Sequence, residues 1–144
     1  MKIKIRSYQF EVEVGEHQEF WNHINSGAWE PETFTAIDQF LSSGDVALDI
    51  GAWAGPISLY MANKARGVHA IEPDPVIFKH LISNCSLNPT LSVKPHAIAI
   101  SNKTEKLKLF ARKKYGQSSS SLLHRSYDKL NSELVEAKTL NDFI

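Results

Sequence analysis

A nearly continuous apolar run, Val46-Ala47-Leu48-Asp49-Ile50, leads straight into Gly51, Gly55 and Pro56. Strands covered on both faces read this way, so the run predicts a buried strand. The glycines allow a sharp turn and a close approach to a ligand. Pro56 suits the first turn of a helix, where its missing N–H costs nothing. The N–H groups at such a helix start attract a carboxylate or phosphate. Two further strand signals follow at helix-length intervals, Val68 to Ile71 and then Leu91 to Val93, extending to Ile100. A helix opened by Pro56 to Lys64 and another from the Asp74-Pro75 cap to about Leu87 lie between them. Strand–helix–strand–helix–strand implies an α/β fold with a parallel sheet and right-handed crossovers.

Ahead of this core, Ile3 and Ile5, then Phe10, Val12 and Val14, form two period-two runs that predict a hairpin. Glu16 to Ser26 reads as a helix stopped by Gly27, and Pro31 opens another with Phe34, Ile37, Phe40 and Leu41 on one face. After the core, Leu107 and Leu109 alternate with lysines in one strand, and Leu134 to Ala137 form a last one. A loop with the polar run Ser118 to Ser121 spans Arg112 to about Tyr127, and a helix or turn begins at Thr139. With no repeats and no long linker, residues 1–144 read as one domain, 1–44 being hairpin and helices and 45–100 the ligand-binding core. The doubly wound sheet is expected to stop after its third parallel strand plus extra strands. An open edge of that kind invites pairing, so a homo-oligomer is expected.

Sixteen basic and sixteen acidic residues leave the chain formally neutral. A nucleic-acid binder usually carries a basic excess, so no nucleic acid is expected as partner. The lysine-rich stretch from Lys103 to Lys114 reads first as a solvated strand edge and otherwise as a contact surface for an anionic substrate. Met1 to Arg6 alternates charged and apolar residues, unlike a signal peptide. No apolar run approaches the roughly 18 residues of a membrane span. No membrane partner and a cytoplasmic location follow. Cys85 is the only cysteine, so neither a disulfide within the chain nor a thiolate metal site can form. The six histidines show no ligand spacing, and no metal is expected.

Glu72 stands 21 residues beyond Gly51, at the end of the second strand. An acidic residue there hydrogen-bonds ribose hydroxyls in dinucleotide folds, and an ionised carboxylate is suited to a diol because it only accepts. The pattern therefore asks for a nucleoside. Its glycine spacing fails the dinucleotide fingerprint, which would need glycines at Trp53 and Pro56, and the Walker loop fails too. What stands is D-x-G-x-x-x-G, from Asp49 to Gly55, the first motif of class I S-adenosylmethionine-dependent methyltransferases.

Val46 to Ala52 with Gly55-Pro56, followed by Ala70-Ile71-Glu72-Pro73-Asp74-Pro75, resembles the FkbM family of those enzymes. Ala99-Ile100-Ser101, Ser118 to Leu123 and Thr139 to Ile144 fit its pattern more loosely. The resemblance implies a Rossmann-like methyltransferase sheet, S-adenosylmethionine as cofactor, and O-methylation of a sugar or natural-product hydroxyl, hence a small-molecule or glycan acceptor. By position, Asp49 would orient the cofactor's amino group, Gly51, Ala52 and Gly55 would cradle it, and Glu72 would hold the ribose. Asp74 would approach the adenine end or cap a helix. His96 and Ala97 would form an adenine wall, and Trp53 would either contact ligand or pack. No catalytic base stands out. A non-catalytic cofactor-binding fragment and a nucleotide-dependent oxidoreductase are the alternatives.

Overall fold

The computed structural model describes residues 1–111, 120–123 and 132–144. The chain opens on a hairpin of β1 (Lys2–Ile5) and β2 (Tyr8–Glu11), with Ile3 opposite Phe10. Alternation puts Ile3, Ile5 and Phe10 on its buried face. Helices α1 (Gln18–Asn25) and α2 (Pro31–Phe40) follow. The first buries Trp21 and Ile24 and the second Phe34. Phe40, expected on the same face as Phe34, is the last helical residue and stays 75% exposed.

The parallel core is β3 (Val46–Ile50), α3 (Pro56–Met61), β4 (Gly67–Ile71), α4 (Pro75–Leu87) and β5 (Val93–His96). Its strands lie in the order β3-β4-β5, all parallel, with Asp49 beside Ala70 and Ile71 beside His96. This is the strand order of one mononucleotide-binding half of a doubly wound fold. Pro95 fits because β5 lies at the rim of this sheet, where a missing N–H breaks no ladder.

The third strand region does not run on to Ile100. It breaks after His96, and β6 (Ala99–Ile100) joins a second sheet with β7 (Glu105–Phe110) and β8 (Ser132–Lys138), ordered β6-β8-β7. A last helix, α5 (Leu140–Phe143), is capped by Thr139. Helix α3 is also shorter than expected, ending at Met61. The loop expected from Arg112 to about Tyr127 falls mostly outside the described residues.

Burial on both faces of β3 is not observed. Ala47 and Asp49 are buried, but Val46 and Ile50 on the other face are 48% and 54% exposed. Residues of α2, α3 and α4 all pack on the face that carries Ala47, Val68 and Ala70. On the opposite face Phe143 of α5 meets the rings of His69 and His96.

The hairpin and α1 share a core with Phe34, Ala54, Leu59, Tyr60 and Ile77, so the N-terminal elements close over α3 and the start of α4. Asn84 of α4 and Asn88, which caps the helix's C-terminal end, fasten the hairpin strand. Asn88 exchanges hydrogen bonds with the backbone of Glu11, and Asn84 accepts from Glu13 N at 2.7 Å. No helix among the described residues is long and apolar enough to cross a membrane.

Candidate functional site

The bend after β3 is built from left-handed backbone: Gly51 at φ 83°, Trp53 at 49° and Gly55 at 92°. Gly51 and Ala52 both donate N–H bonds to Ile71 O, at 2.9 and 3.0 Å, and Gly55 donates to Ala52 O at 2.9 Å. Trp53 N donates to Glu72 Oε2 at 2.9 Å. The bend is thereby bolted to the end of β4, and these N–H groups are spent inside the fold. At Gly51 a Cβ would meet nothing within 4 Å, which leaves open space above the bend. At Gly55 a Cβ would stand 2.8 Å from Leu81 Cδ1, so this glycine lets α4 pack closely. Asn84, fully buried, donates to Ala54 O at 2.8 Å and ties the same bend to the hairpin.

Two buried carboxylates flank the bend. Asp49, 9% exposed, accepts from Ser58 Oγ at 2.5 Å, and burial raises its pKa. Glu72, 7% exposed, accepts from Asp74 N at 2.7 Å through Oε1 and from Trp53 N through Oε2. Burial pushes Glu72 up to about 7, with the charges of Asp74 and Asp49 adding to it and the two N–H bonds opposing it. Asp74 caps α4 through bonds from Val76 N and Ile77 N, and its other oxygen accepts from Ser120 Oγ at 2.8 Å.

A cleft of about 250 Å³ opens over the bend. Asp49, Gly51, Ala52 and Trp53 line it, together with Phe20, Trp29, Glu30, Pro56 and Ile57. Trp53 both packs and faces the cleft: its ring lies 4.3 Å from Phe20 and 4.9 Å from His17. Gly55 and Glu72 are not on this lining, although Glu72 is one hydrogen bond away. His96 O accepts from Glu72 N at 3.0 Å, while its ring stacks on His69 with a 2.9 Å contact between Nε2 and His69 Nδ1. Burial, and then the neighbouring His69, Lys94 and Lys138, hold His96 below the usual histidine range. Ala97 follows β5 and is exposed. Sequence reasoning missed Phe20, Trp29, Glu30, Ser58 and Asn84. Only Ser58, one turn into the helix after the glycine bend, carried a local signal.

The strand order, the glycine bend and the acidic strand end together make the fold that of the class I, S-adenosylmethionine-dependent methyltransferases. No family model matches the chain. Its curated relatives include tRNA (guanine(37)-N(1))-methyltransferases. Those of Macaca mulatta and Homo sapiens are each 31% identical over 88 residues, which is 61% of this chain. That of Ciona intestinalis is 29% identical over 100 residues. The chain spans only 16% of the length of the first of these. Among solved structures, Trm5b from Pyrococcus abyssi is 26% identical with a TM-score of 0.42, over 52% of this chain and 26% of that one. The M. jannaschii tRNA m1G37 methyltransferase is 20% identical with a TM-score of 0.47, over 73% of this chain and 35% of that one.

These relatives correct two expectations. Nucleic acid is not excluded as a partner, because the curated relatives are tRNA methyltransferases by name. Formal neutrality was a weak guide, since a whole-chain sum says nothing of local surface charge. The narrower FkbM assignment, with a sugar or natural-product hydroxyl as acceptor, finds no support in them.

Proposed function

We propose that this chain carries the cofactor-binding part of an S-adenosylmethionine-dependent methyltransferase acting on tRNA, with N1 of guanine 37 as acceptor. The observation that carries the reading is the convergence of the Glu72 carboxylate and the 51–55 bend, joined by the Trp53 N–H. The donor set fits the cofactor. Asp49 and Glu72 are buried acids, and no basic side chain stands among the described residues lining the cleft. With the Gly51, Ala52, Trp53 and Gly55 N–H groups already bonded, the bend offers little to the pyrophosphate of a dinucleotide and suits a cationic nucleoside. The open space at Gly51 admits it.

In this reading Asp49 orients the amino group of the methionine portion, and Gly51, Ala52, Trp53 and Gly55 shape the bend against it. Each oxygen of Glu72 keeps acceptor capacity beyond its N–H bond, and the two receive the ribose hydroxyls. Asp74, His96 and Ala97 border the adenine end, Asp74 chiefly by fixing the start of α4. Bound S-adenosylmethionine supplies a sulfonium methyl, and holding it in line with the acceptor nitrogen is the protein's main contribution. The tRNA acceptor is supported by the names of the curated relatives.

Calorimetric titration with S-adenosylhomocysteine and with NAD tests the cofactor. Binding of the first alone is expected, and binding of NAD alone or of neither overturns the reading. Transfer of labelled methyl to tRNA transcripts with guanine or adenine at position 37 tests the acceptor. Labelling only of the guanine transcript is expected, and equal labelling of both rejects that assignment.

A further inference from the structure

Among the described residues, three that are not glycine hold a positive φ: Arg6 at 53°, Glu30 at 43° and Trp53 at 49°. Such backbone is disfavoured for side-chain-bearing residues and persists only where the surroundings enforce it. Glu30 and Trp53 line the same cleft. Arg6, the third, clamps the segment that carries Glu30. Its Nη2 donates to Pro31 O at 2.9 Å and to Thr35 Oγ1 at 2.6 Å, and its Nη1 pairs with Asp38 at 2.6 Å. The first turn of α2 is therefore pinned from the hairpin, with Glu30 immediately ahead of it. Pro31 also disfavours helical backbone at Glu30. Thr33 Oγ1 donates to Glu30 Oε2 at 3.0 Å and orients the carboxylate.

Glu30 and Asp49 are the two carboxylates on the cleft lining, and the rings of Phe20, Trp29 and Trp53 stand around them. Carboxylates beside aromatic rings make a site for a cation. An ammonium brings three donors, and part of Asp49's capacity is already taken by Ser58. A second acceptor completes the site.

We infer that Glu30 binds the α-ammonium of the cofactor's amino-acid tail together with Asp49, and that its left-handed backbone serves to turn it into the cleft. This rests on the cofactor reading above. It assigns a ligand-binding role to a residue outside the glycine motif, carried by the N-terminal helices.

The test compares S-adenosylhomocysteine with 5′-methylthioadenosine, which keeps the adenosine and sulfur but lacks the tail. Calorimetry is run on the wild type, Glu30→Gln and Glu30→Gly, with thermal melting as the control for folding. Glu30→Gln is expected to weaken S-adenosylhomocysteine about tenfold, to leave methylthioadenosine unchanged and to keep the wild-type Tm. Glu30→Gly should weaken the same ligand while melting no earlier, because glycine accepts the left-handed backbone. Unchanged S-adenosylhomocysteine affinity in Glu30→Gln, or equal weakening of both ligands, overturns the inference. A wild type that binds neither ligand rejects the cofactor reading itself.

Discussion

The backbone N–H of Trp53 donates to Glu72 Oε2 at 2.9 Å, so the middle of the glycine bend hangs from a carboxylate on the neighbouring strand. The second oxygen of Glu72 holds Asp74 N at 2.7 Å, at the cap of α4. One side chain thus fixes both the bend over β3 and the exit from β4.

That position has a consequence for pH. The pKa of Glu72 rises from 4.5 to about 7 on folding, chiefly through burial. A raised value means the folded chain holds the proton more tightly than the unfolded one. The associated stability is fully present below about pH 4.5 and is lost as pH rises through about 7. Wild type should therefore lose about 3 kcal/mol of urea-unfolding free energy relative to Glu72→Gln as pH rises across that window. Comparing the two proteins cancels the contribution of His96, which runs the other way. A difference that stays flat with pH would sink the assignment.

The two glycines of the bend should fail differently when substituted. Gly51→Ala forces a left-handed alanine, costing about 1 kcal/mol, but its methyl enters open space. The protein should fold and bind S-adenosylhomocysteine at least about tenfold more weakly. Gly55→Ala adds a clash with the buried Leu81, and a loss of about 2–4 kcal/mol is expected. Thermal melts and calorimetry separate the two outcomes. An equal fall in Tm for both variants would contradict this account.

Asn84 is the link between the bend and the hairpin. Asn84→Ala strands the Glu13 N–H and the Ala54 carbonyl. The Ala54 carbonyl is buried while the Glu13 N–H is only partly so; an unpaired buried group costs about 1–3 kcal/mol, so a loss of about 2 kcal/mol in chemical unfolding is expected. A loss below about 0.5 kcal/mol, the scale of an ordinary surface change, would show that the link is dispensable.

Asp38 gathers Arg6 at 2.6 Å, Lys64 at 2.7 Å and the Tyr60 hydroxyl at 2.7 Å. Burial raises its carboxyl, but the Lys64 and Tyr60 hydrogen bonds and the Lys64 and Arg6 charges outweigh that and leave it below its usual value. A depressed value stabilises the fold above the unfolded pKa and loses that effect as pH falls through the folded one. Asp38→Asn should cost about 1 kcal/mol at pH 7, given the partial exposure of the group. The gap should close in strong acid. A penalty that persists there would assign it to packing instead of charge.

The parallel order was legible because strand and helix signals recur at crossover intervals from Val46 to His96, and the bend because its glycines follow the first strand directly. Val46 to Ile50 must be a strand, and Gly51 and Gly55 must turn. What the bend's N–H groups bind was not legible, because Ile71 O and the Glu72 carboxylate reach them across a crossover. Open burial at Val46 and Ile50 was hidden for a similar reason: an apolar run records what a strand tolerates and not what covers it. Asn84 belongs to a helix whose periodicity explains it without the cleft, and Glu30 stands just ahead of another. Glu30 shares the cleft lining with the bend, and Asn84 ties the bend to the hairpin, only once distant segments meet.

The fastening of Asn84 also sets how this molecule exchanges its amide hydrogens. Glu13 N is held by a side chain 71 residues away and Trp53 N by one 19 residues away, and Asn84 joins their two neighbourhoods. Neither amide can be released by fraying of its own segment. Both should share the protection of a single opening unit, so the glycine bend gains and loses its order together with the N-terminal hairpin.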